Sequence, residues 1–270
     1  LGDQKRSAAF DLKLAPLSER YELLGFLNQG GCGIVARAVR LSDGVSVAVK
    51  FPKQEMTSRK LDDEADLHKK LTDAKIEGVV EYLDFFEEVV PPEDDWLQFL
   101  VLELLSGMSV SGLRWDRSTD DLVRILQLFR QFAVTLHRCH QNGVVHRDVK
   151  PGNLFVEQRG EAERGVLLDF GIARDARATR TLGRIPGTCE YMAPETGYAP
   201  ETRERWGRAA EEERRLAVRG DLRLDVFGLG AALYQCLAGK LPYETPGRGA
   251  SGAERWRVHL RRSRDTILQA

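Results

Sequence analysis

The chain has 270 residues, 42% of them hydrophobic and 30% charged, with 40 Lys and Arg against 41 Asp and Glu. That is too apolar for a disordered tail and long enough for one large domain or two lobes. A net charge of -1 gives no overall attraction to nucleic acid or an anionic membrane, and the longest apolar runs, such as Phe99–Leu105, fall far short of the roughly 20 residues that span a bilayer.

The start of the chain lacks the charged, then apolar, then small pattern of a signal peptide. It opens on Leu1 rather than Met, as expected of a piece of a longer protein. Four cysteines (Cys32, Cys139, Cys189 and Cys236) are scattered, without a CxxC pair or a His at zinc spacing. They read as free thiols in a reducing compartment, which makes a cytoplasmic location the expectation.

In chain order, Tyr21–Leu27, Ile34–Val39 and Val45–Phe51 read as strands, with Asp43-Gly44 as a hairpin signal between the last two. Ser58–Leu71 reads as a helix, with Leu61, Leu67 and Leu71 amid acids and lysines. Val79–Phe86 and Leu97–Leu104 are strand candidates separated by Pro91-Pro92. After Gly107 the pattern becomes helical. Asp120–His140 carries a stripe of Leu122, Ile125, Leu126, Phe129, Phe132, Ala133 and Leu136 behind an Asp cap. Asn153–Glu157 and Gly165–Leu168 read as short strands, and Leu224–Ala238 as a buried helix. A strand-rich front and a helix-rich back joined near Ser106-Gly107 predict an α+β chain of two lobes with a cleft between them. The expected division is an amino-terminal extension over 1–20, one lobe over 21–105 and another over 106–270.

The densest chemical signal is His146-Arg147-Asp148-Val149-Lys150-Pro151-Gly152-Asn153, which fits H-R-D-x-K-x-x-N. Asp169-Phe170-Gly171 begins 16 residues after Asn153, and Ala193-Pro194-Glu195 ends 26 residues after Asp169. Upstream lie Val47-Ala48-Val49-Lys50 and a glycine-rich turn over Gly30, Gly31 and Gly33. Taken singly, each piece has an ordinary reading: a turn, a strand, or one acid of a solvated helix face. In this order and at these spacings they resemble the signatures of Hanks-type Ser/Thr protein kinases of bacterial type, from about Tyr21 to Tyr243.

The resemblance implies a bilobal kinase fold that uses ATP with Mg2+, or Mn2+ in its place, to phosphorylate protein Ser and Thr hydroxyls. Phosphoryl transfer needs neutralised charge and an in-line hydroxyl more than covalent help. Asp148 would orient the acceptor hydroxyl and take its proton, Lys150 would meet the γ-phosphate, and Asn153 and Asp169 would hold the metal. Lys50 would hold the α- and β-phosphates with Glu64 as its carboxylate partner. The glycine-rich turn would bring backbone N–H groups to phosphate without a Cβ in the way. From the resemblance alone, Leu102 is the gatekeeper, Glu103 and Leu105 meet adenine through their backbones, and Val35, Ala48 and Phe155 sandwich the base. Ser109 is a ribose candidate. Thr188 matches the residue that bonds the catalytic Asp and Lys. Arg147 beside Asp148, with Thr179 and Thr181 among Arg174, Arg177, Arg180 and Arg184, implies a switch by activation-loop phosphorylation. The partners implied are a protein substrate and a homodimer for phosphorylation in trans. No nucleic acid and no membrane segment within these residues are implied, while an anchor outside them stays open.

Several positions depart from the family pattern. Asn28 stands where the first glycine of the loop is usual, and Cys32 where an aromatic is common. His68 stands four residues after Glu64, where an apolar side chain is normal, and a buried neutral His there would sense pH. The 29 residues between Glu195 and Asp225 are more than usual, with a charged insertion over about 197–222. The Arg expected to pair with Glu195 has no clear counterpart, with Arg257, Arg261 and Arg262 as candidates. Two other readings stay open: a pseudokinase acting as a nucleotide-binding scaffold, and a small-molecule kinase of aminoglycoside-phosphotransferase type. Lys50, Asp148, Asn153 and Asp169 argue against the first; Lys150, Thr188 and Ala193-Pro194-Glu195 argue against the second.

Overall fold

The computed structural model describes residues 15–30, 33–52, 59–90, 95–116, 118–171, 174–175, 188–193, 222–243, 251, 254, 257–259 and 261. The chain divides into two compact units: Leu1–Asp73 with Val80–Leu105, and Ala74–Val79 with Ser106–Ala270.

The first unit is built on a five-stranded antiparallel sheet. Its strands are β1 (Tyr21–Gly30), β2 (Gly33–Arg40), β3 (Ser46–Phe51), β4 (Tyr82–Val90) and β5 (Asp95–Glu103), in the order β1-β2-β3-β5-β4. The turn between β2 and β3 is closed by Asp43, whose carboxylate accepts from Val45 N at 3.1 Å and from the Arg40 guanidinium. Side chains alternate across strands, so Ala36, Ala38, Val47, Val49, Phe99 and Val101 gather on one face. Leu17 of the short helix α1 (Ala15–Arg20) completes that core with Tyr21 and Phe51. The strand β3 lies inside the sheet and is buried from Val47 to Phe51 on both faces. Helix α2 (Arg59–Asp73) packs against β4 and β5 and buries Leu61, Glu64, Ala65, Leu67, His68 and Leu71. Those positions follow the helical period, as the sequence led one to expect.

The second unit pairs helices with small sheets. Helix α3 (Thr119–Gln141) buries Ile125, Leu128, Phe129, Phe132, Thr135, Leu136 and Cys139. Two expectations are corrected here. The cap is Ser118, whose hydroxyl accepts from Asp121 N at 3.2 Å, not an Asp. The buried stripe is also rotated: Leu122 and Leu126 face solvent, and Leu128 and Cys139 take their place inside. Strands β6 (Gly107–Ser109), β8 (Leu154–Arg159) and β9 (Ala162–Leu167) form one sheet, in the order β6-β8-β9. Arg124 ties α3 to β9 through Glu163, at 2.6 and 2.8 Å. Strand β7 (Val144–Val145) pairs with β10 (Arg174–Asp175). Helix α4 (Arg223–Ala238) packs on α3. Val79, expected to open β4, instead forms a bridge to Leu167 in this unit.

Candidate active site

The segment 146–153 connects β7 to β8, and its residues meet around one carboxylate. Asp148 is 7% exposed. Its Oδ1 accepts from Thr188 N at 3.0 Å and from the Thr188 hydroxyl at 2.8 Å. Its Oδ2 accepts from Lys150 Nζ at 2.5 Å and from Asn153 Nδ2 at 3.1 Å. Lys150 Nζ also donates to Thr188 Oγ1 at 2.8 Å, so hydroxyl, ammonium and carboxylate close a ring. Charge-assisted bonds of this kind are the strong ones, and they fix the orientation of the carboxylate.

Two backbone positions near this carboxylate are held in the left-handed region: Arg147 at φ 68° and Asp169 at φ 62°. Each costs on the order of 1–3 kcal/mol and persists only where the surroundings over-determine it. Asp225 supplies part of that restraint. It opens α4 with no solvent exposure, and it accepts from Arg147 N at 2.7 Å, His146 N at 2.8 Å and His140 Nε2 at 2.8 Å. Hydrogen bonds from three donors offset the desolvation of this buried charge. His146 locks a second edge. Its Nε2 donates to Leu168 O at 2.9 Å while its Nδ1 accepts from Asp148 N at 3.3 Å, and its ring lies 4.7 Å from that of Phe170.

Asn153 O accepts from Leu168 N at 2.9 Å, which places the residue before Asp169 beside Asn153. Asn153 Nδ2 is committed to Asp148, at its backbone O (2.9 Å) and at Oδ2, so the amide turns Oδ1 to the other side. An amide oxygen and the Asp169 carboxylate are hard oxygen donors of the type that Mg2+ and Mn2+ take, and this donor set fits such an ion.

In the first unit, Lys50 and Glu64 are 5% and 3% exposed, and Nζ donates to both carboxylate oxygens, at 2.7 and 2.8 Å. The sheet explains how a lysine comes to be buried there: β3 is covered on both faces, and Lys50 lies opposite Val35 and Leu100. One helical turn beyond Glu64, His68 Nε2 lies 3.8 Å from Glu64 Oε1. Gly33 has φ 130°, and a Cβ there would lie 2.8 Å from Phe51 O, so the close pairing of β2 on β3 requires glycine. Asn28 and Gly30 lie at the end of β1, opposite Val35 and Gly33. Ala48 and Leu102 are cross-strand partners, both buried. Glu103 is fixed by Glu81, its N donating to Glu81 O at 3.0 Å and its carboxylate accepting from Glu81 N at 3.0 Å. Leu105 follows β5 and is half-buried.

In the second unit, Phe155 pairs with Ser109, whose hydroxyl shares a hydrogen bond of 2.7 Å with Ser111. Gly31, Cys32, Thr179, Thr181, Glu195 and nearly all of the charged insertion lie outside the described residues, as do Arg177, Arg180, Arg184 and Arg262.

Sequence reasoning left Asp225 and His140 without a role. The available signal was a lone acid opening the otherwise apolar run Asp-Val-Phe-Gly-Leu-Gly. It also did not foresee how 188–193 is anchored. Tyr191 donates to Gln235 at 2.6 Å, Tyr243 donates to Glu190 O, and Ala193 packs on Leu224 and Phe227. Burial raises the Tyr191 hydroxyl above the ordinary tyrosine range.

Residues 21–263 match the family described as the protein kinase domain. The chain is similar to serine/threonine-protein kinase Pkn1 of Myxococcus xanthus, 31% identical over 85% of this chain and 30% of that protein. It is likewise similar to serine/threonine-protein kinase PknA of Mycobacterium tuberculosis, 31% identical over 86% of this chain and 49% of that protein. Sperm motility kinase 1 of Mus musculus is 27% identical over 83% of this chain and 41% of its own length. The chain thus spans less than half the length of each of these relatives.

Proposed function

Because the chain belongs to the protein kinase family, we propose that its protein transfers the γ-phosphate of ATP to Ser and Thr hydroxyls of proteins. The observation that carries this reading is the closed ring of Asp148, Lys150 and Thr188 with Asn153 behind it. Asp148 orients the acceptor hydroxyl and receives its proton as the oxygen bonds phosphorus. Lys150 offsets the negative charge on the transferred group and keeps Asp148 ionised beside it. Thr188 sets the rotamer of Asp148 and ties the segment that presents the peptide to the catalytic loop. Asn153 and Asp169 hold Mg2+ or Mn2+, whose chemistry when bound is to neutralise phosphate charge. Lys50, held by Glu64, binds the α- and β-phosphates. The glycine-rich turn (Asn28, Gly30, Gly31, Gly33) covers the phosphates. Val35, Ala48, Leu102, Phe155 and the backbones of Glu103 and Leu105 take the base, and Ser109 the ribose.

In this reading 21–105 is the amino-terminal lobe and 106–270 the carboxy-terminal lobe, with residues 74–79 folding with the latter. Arg147, Thr179 and Thr181 form a phosphorylation switch that a homodimer sets in trans, and the protein works in the cytoplasm. Among the described residues no helix is long and apolar enough to cross a membrane.

Incubation with labelled ATP, magnesium, generic protein substrates and candidate small molecules tests the reading. Label on protein Ser or Thr is expected, with Asp148→Asn slowing kcat roughly a hundred- to ten-thousandfold. Label on a small molecule alone, or nucleotide binding without transfer, overturns it. In the active protein, mass spectrometry after ATP incubation should find phosphate on Thr179 or Thr181, and its absence refutes the switch.

A further inference from the structure

Strand β5 is apolar from Trp96 to Leu102 except at one position. Gln98 stands there between Leu97 and Phe99, and it is 1% exposed. Its Nε2 donates to Asp62 Oδ1 of α2 at 2.6 Å and to Glu87 Oε1 of β4 at 2.5 Å. An amide nitrogen carries two protons, so each carboxylate takes one. The opposite orientation would turn the amide oxygen to two acids and meet only repulsion. The other end of the same amide goes unmet: Oε1 is buried and has no hydrogen-bond partner. Burying such an acceptor is costly, and an apolar side chain at this position would avoid the cost. The amide therefore serves the two acids rather than the packing of β5.

The register of the sheet aims this amide at the helix that carries Glu64. Cross-strand partners place their side chains on one face of a sheet, and so do residues two apart along a strand. Gln98 is the partner of Glu87, Leu100 is the partner of Lys50, and Gln98 and Leu100 are two apart on β5. Glu87, Gln98 and Lys50 thus share the face that α2 covers. Asp62 lies in the first turn of α2, two residues before Glu64, and is half-buried. Ten residues on, about 15 Å along the axis, Thr72 accepts from Tyr82 N of β4 at 2.9 Å. Polar ties therefore join the helix to the sheet on either side of Glu64. The buried leucines of α2 attract without direction and leave the helix free to slide or roll, whereas hydrogen bonds fix its place. Glu64 meets Lys50 Nζ with both oxygens, at 2.7 and 2.8 Å, a fit that a shift of about 1 Å would break.

We propose that Gln98 is a positioning residue for nucleotide capture: its amide anchors the first turn of α2 through Asp62, with Glu87 steadying the amide from β4, and so sets Glu64 against Lys50. The inference rests on the role proposed for Lys50 in holding the α- and β-phosphates. Without the amide, Asp62 and Glu87 face each other with no protons between them, and their repulsion moves the start of the helix away from the sheet.

The test is affinity for a fluorescent ATP analogue with magnesium, together with kcat and the KM for ATP and for peptide, in variants that circular dichroism shows to be folded. Gln98→Leu suits the apolar strand. It should weaken nucleotide affinity about tenfold, the scale of one hydrogen bond to a charged group, with the KM for peptide unchanged. Asp62→Ala should do the same from the helix side, and it supplies the measurement if leucine disturbs packing in β5. Asp62→Asn keeps an oxygen that accepts from the amide and should stay within about twofold of the wild type. Both Asp62 variants lose the charge that favours the first turn of a helix, so the difference between them reads the hydrogen bond. In a Lys50→Met background, Gln98→Leu should change affinity less than about twofold, because the pair it positions is already gone. Unchanged affinity in folded Gln98→Leu or in Asp62→Ala overturns the inference. So does an equal loss in Asp62→Ala and Asp62→Asn, or the same factor lost with and without Lys50. Lys50→Met alone separates the two levels. If it leaves nucleotide affinity unchanged, the phosphate-binding role of Lys50 falls and this inference with it; if it weakens affinity while Gln98→Leu and Asp62→Ala do not, only the role of Gln98 falls.

Discussion

Asp225 shows how a residue far from the 146–153 segment in sequence can hold its backbone in place. Its two oxygens carry hydrogen bonds from His140, His146 N and Arg147 N, and the last of these holds a backbone in the left-handed region. Asp225→Asn keeps the shape but removes the charge and replaces one acceptor with a donor. Unfolding in denaturant should show a loss of about 2–4 kcal/mol, given about 1.5–3 kcal/mol for each charge-assisted bond. Steady-state kinetics should show kcat falling more than KM rises, because the relaxed catalytic loop misplaces Asp148 rather than the nucleotide. The thiols at this scale have the opposite character. Burial pushes Cys139 up to about 12, with the neighbouring Asp225 charge adding to it, and pushes Cys236 up to about 11. Only the thiolate attacks an alkylating agent, and at about pH 8 on the order of one in a thousand or fewer of these groups is ionised. Iodoacetamide followed by peptide mass spectrometry should therefore spare both in the native protein and label both after denaturation. Labelling of Cys139 in the folded state would show that the helix end near Asp225 opens.

Helix α4 approaches the catalytic loop so closely that Gly228 has no room for a side chain: a Cβ there would lie 2.7 Å from Val149 O. Two residues on, Gly230 faces open space. The same substitution should therefore have opposite effects. Gly230→Ala should stabilise by up to about 1 kcal/mol through helix propensity. Gly228→Ala should lose that gain to a backbone clash, with a lower melting temperature and a lower kcat. Equal effects at the two sites would mean that α4 does not press on the loop. The same contrast explains what could be read from the sequence. The catalytic loop was legible because its polar residues fall within eight positions and have fixed spacing. Asp225, 77 residues after Asp148, was not, since local pattern gives no sign of which buried acid a distant backbone needs. Helix α2 was legible because Leu61, Leu67 and Leu71 mark one buried face, which Glu64 and His68 share. The inward face of α3 was misread because apolar residues occur on both sides of that helix, and only packing against β9 and α4 decides which side is covered. Ser118 was passed over for an Asp because both residue types cap helices and propensity alone does not rank them.

At the scale of the whole molecule, each of the two units carries its own set of largely buried polar groups. The first holds Lys50 and Glu64; the second holds Asp148, Lys150, Asn153 and Asp169. A ligand that binds the native chain and not the unfolded one stabilises it by mass action. At a hundred times its dissociation constant the gain is about 2.7 kcal/mol. For a chain of this size that is a rise in melting temperature of roughly 5–10 °C. The two sets should separate in a thermal-shift experiment. ATP without metal should give a small shift that Lys50→Met removes, because the lysine binds phosphate whether or not an ion is present. Adding magnesium should enlarge the shift, and Asp169→Ala should abolish the enlargement while leaving the metal-free shift in place. Alanine suits the left-handed backbone at 169 less well than aspartate, so the apo Asp169→Ala protein should melt a few degrees below the wild type. If magnesium enlarges the shift equally in wild type and Asp169→Ala, the metal is bound elsewhere and the division of labour between the two units is wrong.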